Sequence, residues 1–347
     1  MRFLSFRYVI VRDGADYTEI FPSGNSAPTI RMDDGGEIKT SFSGSFADPG
    51  ETVDWFRDRI RPEIIINDTT YPLGIFLPAS VGIQEDDKTR SVSIEAFDQC
   101  WILRDTKTES LLYFAPGTKY LTAIQSLLTA AGIVLTSIVP SEATLAEGRE
   151  DWDIGTSYLE IINQLLSEIN YNPVWFDQEG LAILEPASTP TAANIEHTLD
   201  DTNVQSLLLP SISRETDVYE TPNVFIAVCS NADKSSAMVA TAENTNPQSP
   251  LSISRRGRRI ATVIKVDNIA DANELQAYAD LLRNKSMISG ETIQVTTGLL
   301  PGFGVAEVVA LRYGDFFTTC VEHSWTMTLQ IGGTMEHTLE KVVINLE

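Results

Sequence analysis

Three histidines are the side chains with the widest chemical range in this sequence. His197, His323 and His337 each follow a glutamate and precede a threonine or a serine. A metal site needs ligands that converge on one point, and each ligating histidine usually donates its other ring nitrogen to an orienting partner. We interpret all three as exposed strand residues and expect no metal. A metal site formed by His323 and His337 on paired strands is the alternative.

Carboxylates form several clusters along the chain. Glycosidases place two carboxylates on either side of the scissile bond, and a sequence alone does not show such a pair. We therefore interpret the clusters as turn residues and helix caps. They are Glu85-Asp86-Asp87, Asp151, Asp153 and Asp200-Asp201.

Known catalytic motifs are absent from the sequence. It contains no G-x-S-x-G, H-E-x-x-H, P-loop or dinucleotide-binding pattern. Pro301-Gly302-Phe303-Gly304 lacks the third glycine of the dinucleotide pattern, and we predict a turn there before a strand at Val305–Ala310. We expect no enzyme, no catalytic residue and no cofactor. A glycan hydrolase built from acidic residues is the weaker alternative.

One short run of arginines stands out from the acidic background. Arg255, Arg256, Arg258 and Arg259 fall within five positions, a density that is also found in nucleic-acid and heparin patches. The formal net charge of the whole chain is −23, which opposes binding to another polyanion. The four arginines are therefore candidate subunit contacts with an acidic neighbour, with a solvated loop end as the alternative.

The net charge also limits the partners of the protein. A surface with this charge repels phosphate and anionic lipid, so we expect no direct sequence-specific binding of nucleic acid. Solubility is one reason for such a charge. A second is a negative channel wall along which DNA moves without sticking.

The remaining bulk features indicate a soluble, reduced protein. Cys100, Cys229 and Cys320 are far apart and odd in number, so we interpret them as reduced core residues. No apolar run is long enough for a membrane-spanning helix. The apolar stretch in residues 1–10 is too short and too often interrupted by polar residues to be a signal peptide. These residues are predicted to form a strand, and we expect the protein to be made in the cytoplasm.

The chain length of 347 residues is enough for two or three domains. The first hundred residues are predicted to form short strands. A hairpin is expected at residues 63–71, with Asn67-Asp68 as its turn. Alternation of apolar and polar residues predicts a half-buried strand at Thr89–Phe97.

Composition then changes to helical spacing. One helix is predicted to begin at Thr118 or Lys119 and to stop at Gly132. A second begins at a capping box, Ser157-Tyr158-Leu159-Glu160. The loop Asp177–Gly180 joins two short strands of a predicted hairpin.

The last 160 residues or so return mainly to strands. A third helix is predicted from Asp271. The polar stretch Ser230–Arg258 has no clear periodicity, so we interpret it as functional or mobile. Residues 186–200 have the composition of a linker. Strands are expected at residues 204–209, 212–216, 223–229, 318–329 and 336–344.

Several of these segments together resemble the central hub proteins of phage-type tail baseplates. The resemblance spans roughly residues 95–315 and consists of a pattern of segments. The segments that carry it are Phe114-Ala115-Pro116-Gly117-Thr118, Ile154 to Asn163, Tyr171 to Asp177, Thr221 to Ile226, and Asn246 to Leu251 followed by Gly257-Arg258-Arg259-Ile260.

The resemblance implies an α+β fold, mainly β, with two tube-type β-barrel domains and an inserted small α/β domain. Residues 1–107 would form the first barrel and 108–190 the insertion. Residues 191–347 would complete the first barrel and form the second, which includes one helix.

The resemblance also implies a structural role in a phage tail or phage-like injection device. A homotrimer would adapt the six-fold tail tube to the three-fold spike and line the central channel. Its expected partners are the tail tube protein or distal tail ring, the spike and other baseplate proteins. A distal-tail protein, or a tail-tip protein that binds a receptor or glycan, is the alternative.

Overall fold

The computed structural model describes residues 2–24, 26–86, 89–188, 190, 192–216, 221–229, 238–266, 269 and 272–342. These residues form a mainly β structure of the α+β class, as the sequence predicted. In chain order the elements are β1 (Leu4–Arg12), β2 (Ala15–Glu19), β3 (Thr29–Asp33), β4 (Thr40–Ala47), β5 (Arg59–Ile66), β6 (Thr69–Pro72), β7 (Leu77–Glu85), β8 (Arg90–Phe97), α1 (Cys100–Asp105), α2 (Tyr120–Ala130), β9 (Thr136–Ile138), α3 (Tyr158–Ser167), β10 (Trp175–Phe176), β11 (Ala182–Leu184), β12 (His197–Asp200), β13 (Leu208–Thr216), β14 (Val224–Cys229), β15 (Met238–Glu243), α4 (Ile253–Arg256), β16 (Ala261–Val266), α5 (Ala272–Met287), β17 (Ile288–Gly298), β18 (Val308–Tyr313), β19 (Phe316–Thr328) and β20 (Thr334–Val342).

A ten-stranded sheet is the backbone of the fold, and it contains the same strand order twice. Its main path is β13-β17-β20-β19-β3-β4-β8-β7, and β18 joins β19 and β12 beside that path. We call β3, β4, β8 and β7 the first half-sheet and β13, β17, β20 and β19 the second half-sheet. In both half-sheets the first two strands along the chain are also the first two across the sheet. The third strand along the chain lies fourth across the sheet, and the last strand lies between it and the second.

A β-bulge occurs at the same place in each half-sheet. In the first, the register between β7 and β8 shifts between Pro78 and Ser80. In the second, the register between β19 and β20 shifts between Glu322 and Ser324. Two folding units with equal topology and an equal bulge form an internal structural repeat.

The first half-sheet packs against a four-stranded sheet of order β2-β1-β5-β6. Aromatic rings fill the space between them, with Tyr8 5.1 Å from Phe46 and Phe42 5.6 Å from Phe76 between ring centroids. All four rings are buried, and large aromatic side chains contribute much apolar area to a core. The turn of the predicted β5–β6 hairpin is confirmed, because Asn67 and Asp68 have φ of 48° and 66°.

Residues 100–184 have a hydrophobic core of their own. Helices α2 and α3 pack together beside the small sheet β10-β11-β9. Both predicted helices are confirmed, and the Ser157 side chain accepts a hydrogen bond from the Glu160 backbone N–H as expected of an N-cap. The boundaries 1–107, 108–190 and 191–347 remain a prediction.

A third cluster joins helix α5 to the sheet β15-β14-β16. Strand β15 and helix α4 lie in the stretch that the sequence analysis interpreted as functional or mobile. The sequence showed no periodicity there, yet residues 238–258 contain ordered elements, because buried polar side chains organise the chain. Asn223 donates to the backbone carbonyls of Leu251 and Arg258, and Asn244 donates to the Ser249 hydroxyl. Such bonds do not produce a hydrophobic period, so the pattern missed them. Residues 230–237 and Asp271 lie outside the described residues.

Candidate assembly surfaces and a buried histidine cluster

Two exposed strands end the main path of the ten-stranded sheet. They are β7 and β13, each nine residues long, and most of their side chains are exposed. Within the part of the chain that the structure describes, each pairs on one side only. A long free edge of this kind is a ready-made template for pairing with a strand of another chain.

The junction between the two half-sheets shows how such edges can join. Strand β19 pairs with β3 in antiparallel register, with Ser324 opposite Asp33 and Thr328 opposite Thr29. The turn after β3 adds a further bond, because the Asp34 backbone N–H donates to the His323 carbonyl over 2.9 Å. The junction therefore consists of a strand pair and a contact from the following turn.

On the first half-sheet, the face that points away from the core carries many small polar side chains, together with Arg31, which is paired with Asp33. A shallow hollow in it is formed by Ser43, Ser45, Ser80 and Ser93, with Glu95 at its side. Ser43 lies opposite Glu95 and Ser45 opposite Ser93 on the paired strands. Hydroxyl and carboxylate groups of this kind hold water and offer no cation to a phosphate.

The four predicted arginines lie on one ordered loop, which we call the arginine loop (residues 255–259). It includes the last two residues of helix α4, whose first turn is capped by Ser252, and Gly257 ends that turn with a φ of 64°. Arg259 forms a bidentate ion pair with Glu243 at 2.7 and 2.9 Å.

The other three arginines differ in exposure. Arg256 is half-buried and donates to the Thr221 carbonyl at 2.6 Å, whereas Arg255 and Arg258 are exposed. The loop thus holds two guanidinium groups in place through its own structure and presents two to solvent. Whether they contact another subunit remains a prediction.

An aromatic groove lies beside the start of β7. It has a volume of about 390 Å³ and is lined by Trp55, Phe56, Arg57, Asp58, Leu77, Pro78, Trp101, Ile102, Asp105 and Thr106. Phe56 is 103% exposed, so its ring contributes no packing within the chain. Trp101 stacks on Phe97 at 4.7 Å, and the guanidinium of Arg104 lies 3.9 Å from its ring. Large aromatic side chains in an open groove are typical of an interaction site.

His337 and Glu322 form a buried pair inside the second half-sheet. The carboxylate oxygen Oε2 of Glu322 accepts from His337 Nδ1 at 2.8 Å, and the other ring nitrogen lies 3.0 Å from the Thr297 hydroxyl. The two side chains are 0% exposed. The bulge places them on one face, because His323 is the extra residue that keeps Glu322 on the same side as Trp325, which lies opposite His337.

A second pair lies beside the first. His197 Nε2 is 2.7 Å from Glu307 Oε2, and the His197 ring stacks on Phe303 at 3.8 Å. Phe303 also contacts the His337 ring, at 4.9 Å. The aromatic ring therefore lies between two histidine–glutamate pairs, of which the His337–Glu322 pair is fully buried and the His197–Glu307 pair is partly exposed.

Burial and charge change the pKa values in this cluster. Burial raises the pKa of the Glu322 carboxyl, and the hydrogen bond from His337 opposes that shift. Burial lowers the pKa of His197, but the hydrogen bond and charge of Glu307 outweigh it, so the pKa is raised. The hydrogen bonds of this cluster therefore depend on which of its carboxyl and imidazole groups are protonated.

The prediction that all three histidines are exposed was wrong. His337 is buried, and His197 and His323 are half-buried. Buried and exposed positions alternate along β20, and His337 falls on the buried side. This alternation could have indicated that His337 is buried, but the polarity of histidine argued against it. Three or more His, Cys, Asp or Glu side chains do not converge as a metal site anywhere in the described ranges.

The carboxylate clusters lie apart from one another and serve local structure. Asp86 accepts from the Thr89 backbone N–H at 2.8 Å, and Asp201 accepts from that of Gly314 at 2.8 Å. Asp200 accepts from the backbone N–H and the hydroxyl of Thr202. Their interpretation as turn residues is confirmed for these three. Asp87 lies outside the described residues.

Asp151 belongs to a network of ion pairs and hydrogen bonds within residues 120–168. The sequence did not indicate this network. Arg149 pairs with Asp151 and with the buried Glu168, and the Tyr120 hydroxyl donates to Glu168 at 2.9 Å. These contacts connect α2, α3 and the chain between them, so the network stabilises the fold. The three cysteines are buried, which confirms their interpretation as core residues.

The whole chain is similar in fold to solved tail proteins. The tail protein from Neisseria meningitidis MC58 is 15% identical with a TM-score of 0.66, over 96% of both chains. The 43 kDa tail protein of prophage MuSo2 from Shewanella oneidensis is 11% identical with a TM-score of 0.68, over 96% of this chain and 98% of the other.

A third match also relates this fold to phage tail proteins. The E. coli c3393 protein is described as a type VI secretion component that is structurally similar to the T4 bacteriophage tail proteins gp27 and gp5. It is 7% identical with a TM-score of 0.54, over 96% of this chain and 77% of that chain. The resemblance to tail hub proteins is therefore confirmed as a likeness of fold. No family model and no curated protein matches the sequence.

In the described part of the chain, no helix combines the length and the apolar character that crossing a membrane requires.

Proposed function

We propose that this protein is a structural hub of a phage-like tail baseplate, in which three copies form a ring around a central channel. The observation that carries the proposal is the internal repeat, because one chain contains two equal half-sheets and leaves one free edge at each end. The similarity in fold to tail proteins supports a place in a tail or injection device. The role is one of assembly and requires no catalytic residue.

The repeat indicates how neighbouring copies join. Strand β3 of the first half-sheet corresponds to β13 of the second, and β7 corresponds to β19. The internal junction is β19 with β3, so the equivalent junction between copies is β7 of one copy with β13 of the next. Such a head-to-tail contact generates a closed ring when its rotation divides a full turn.

Three copies would then contribute six half-sheets. That number matches the six-fold symmetry of a tail tube on one side of the ring and the three-fold symmetry of a spike on the other. The tube protein or distal tail ring, the spike and other baseplate proteins are the partners this geometry fits. The polar outer face of the sheet would line the channel, where its hydroxyl and carboxylate groups would not bind the DNA phosphates.

The bulges predict the register of the junction. Aligning Ser80 with Ser324 places Gln84 at the position of Thr328. In the same way, alignment across the paired strands places Ser213 at the position of Thr29. Because Thr328 lies opposite Thr29 within the chain, Gln84 should lie opposite Ser213 of the next copy.

A disulfide between these positions tests the proposal. The variant Gln84→Cys with Ser213→Cys should form covalent trimers under oxidation, because opposite residues have Cα atoms within the range that a disulfide bridges. The matched control, Gln84→Cys with Glu215→Cys, is displaced by two residues and should not cross-link efficiently.

Absolute mass by light scattering, with images of the particles, completes the test. A trimer with a central pore is the expected result. A hexameric ring would instead favour a distal-tail protein. A monomer at all concentrations in which neither cysteine pair reacts would overturn the hub.

A further inference from the structure

We propose that the arginine loop of one copy docks into the aromatic groove of the next copy. This inference rests on the proposed ring and identifies a second contact within it. The two surfaces belong to the same chain, so the partner is a second copy of this protein.

The internal junction indicates where the loop must go. After β3, the turn of residues 34–39 contacts the bulge of the neighbouring strand, through the bond from Asp34 to His323, and the equivalent residue Ala79 lies close to the start of β7. In the second half-sheet, the segment that replaces this short turn connects β13 to β17, and it contains β14, β15, β16 and α5. An enlarged turn at this position would extend over the start of β7 in the next copy.

The arginine loop lies at the correct end of that segment. It connects β15 to β16, and the start of β16 pairs in parallel with the start of β14, which follows β13 along the chain. Helix α5 returns the chain to β17, whose Glu291 lies opposite Thr216 at the end of β13. The loop therefore lies at the end of the three-stranded sheet where the chain arrives from β13.

The aromatic groove occupies the matching position on the other edge. Leu77 and Pro78, the first residues of β7, form part of its wall, next to Trp101 on α1. Continuity of the strand pair from β7 to β13 would bring the loop over this wall. The groove is thus an extension of the proposed junction.

The chemistry of the two surfaces is complementary. A guanidinium group stacks on the faces of Trp and Phe rings and pairs with carboxylates, and Trp101 already receives Arg104 in this way within the chain. Asp105 is exposed at the end of the groove. Within the groove Asp58 is buried and paired with Arg12, and Arg57 is paired with Asp13, so Asp105 is its exposed carboxylate. Arg255 and Arg258 are two exposed cations, which fit the exposed Phe56 ring and this carboxylate.

A double-mutant cycle tests the contact in the full-length protein. Phe56→Ala removes an exposed ring, so it should leave the fold intact. Phe56→Ala, and Arg255→Ala with Arg258→Ala, should each weaken assembly roughly tenfold, and their combination should cost less than the product of the two effects. Arg312→Ala removes an exposed arginine on β18 and should leave the dissociation constant of the ring unchanged.

A charge exchange gives an independent readout. Arg255→Glu with Arg258→Glu should prevent assembly, and adding Asp105→Arg to that variant should restore part of it. If the Gln84–Ser213 disulfide forms but the arginine variants assemble normally, the docking is wrong and the hub stands. The same holds if those variants assemble normally but no longer retain DNA. If neither the disulfide nor the ring forms, the proposed function and the docking both fail.

Discussion

The two half-sheets have one topology and two different interiors. The first is filled by aromatic and aliphatic side chains, of which Phe42, Phe46 and Ile94 are fully or almost fully buried. The second contains the buried pair of Glu322 and His337 in its core. Alignment through the bulges gives Ile94 and His337 the same position in the repeat.

Strand order and register therefore do not require an apolar residue at every core position. A buried histidine is accepted where a carboxylate and a hydroxyl satisfy its ring nitrogens. Substitutions that exchange residues between the two interiors test this comparison.

Removing one member of the buried pair should have the largest effect. His337→Leu leaves the Glu322 carboxyl buried without its partner, which should lower the free energy of unfolding by about 3–5 kcal/mol in urea titrations at neutral pH. The double variant, Glu322→Leu with His337→Leu, should recover most of that loss because it imitates the apolar first half-sheet. A double variant as unstable as His337→Leu would contradict the comparison.

The reverse exchange in the first half-sheet should cost less. Ile94→His buries a ring whose nitrogens have no partner, with an expected loss on the order of 1–3 kcal/mol. Ile94→Val is the matched control for lost volume and should cost roughly 0.5–1.5 kcal/mol. Equal losses in the two variants would mean that this interior tolerates an unpaired polar group.

Each half-sheet also has a buried carboxyl that should make stability depend on pH. Burial raises the pKa of Asp98 to about 6, although backbone N–H groups of Cys100 and Thr40 donate to it. Its contribution is complete below the pKa of the unfolded chain, about 4, and is lost as the pH rises through about 6.

The pH effect can be measured directly. Stability should fall with rising pH in this window, by at most about 1.4 kcal/mol per pH unit from this one group. Urea titrations of Asp98→Asn between pH 4 and 7 should show a smaller slope. Glu322→Gln should reduce the slope in the same direction, since the pKa of Glu322 is also raised. An unchanged slope in Asp98→Asn would refute the assignment to this carboxyl.

The bulge residues should have the smallest effect. His323 is the extra residue in β19, and the position of Ala79 in β7 is equivalent. His323→Ala and Ala79→His should each change the free energy of unfolding by about 0.5 kcal/mol or less, because neither side chain is buried. A large loss for His323→Ala would indicate that its ring, and not only the backbone bulge, supports the second half-sheet.

The local elements could be predicted from the sequence because their signals are local. The cap at Ser157, the stop at Gly132 and the turn at Asn67-Asp68 each depend on residues a few positions apart. Alternation likewise predicted β8 and most of β19 and β20. The prediction of a strand at Val305–Ala310 was only partly right, since β18 begins at Val308.

The candidate site was less accessible to such reasoning. The four arginines could be selected by their density, but the aromatic groove is assembled from residues 55–58, 77–78 and 101–106 and has no motif. The burial of His337 depends on Glu322 and Thr297 on neighbouring strands. The repeat itself was hidden, because equivalent positions contain residues as different as isoleucine and histidine.

The sequence by itself determined the class of fold, the capped helices, the short hairpins and the resemblance to tail hub proteins. These follow from periodicity, from turn chemistry and from patterns of segments. Only the tertiary structure decided that β3 pairs with β19, that two half-sheets repeat one topology, and that β7 and β13 remain as free edges. The physical reason is that strand pairing between distant segments depends on backbone hydrogen bonds, which every residue except proline can donate, so the sequence does not mark the partner.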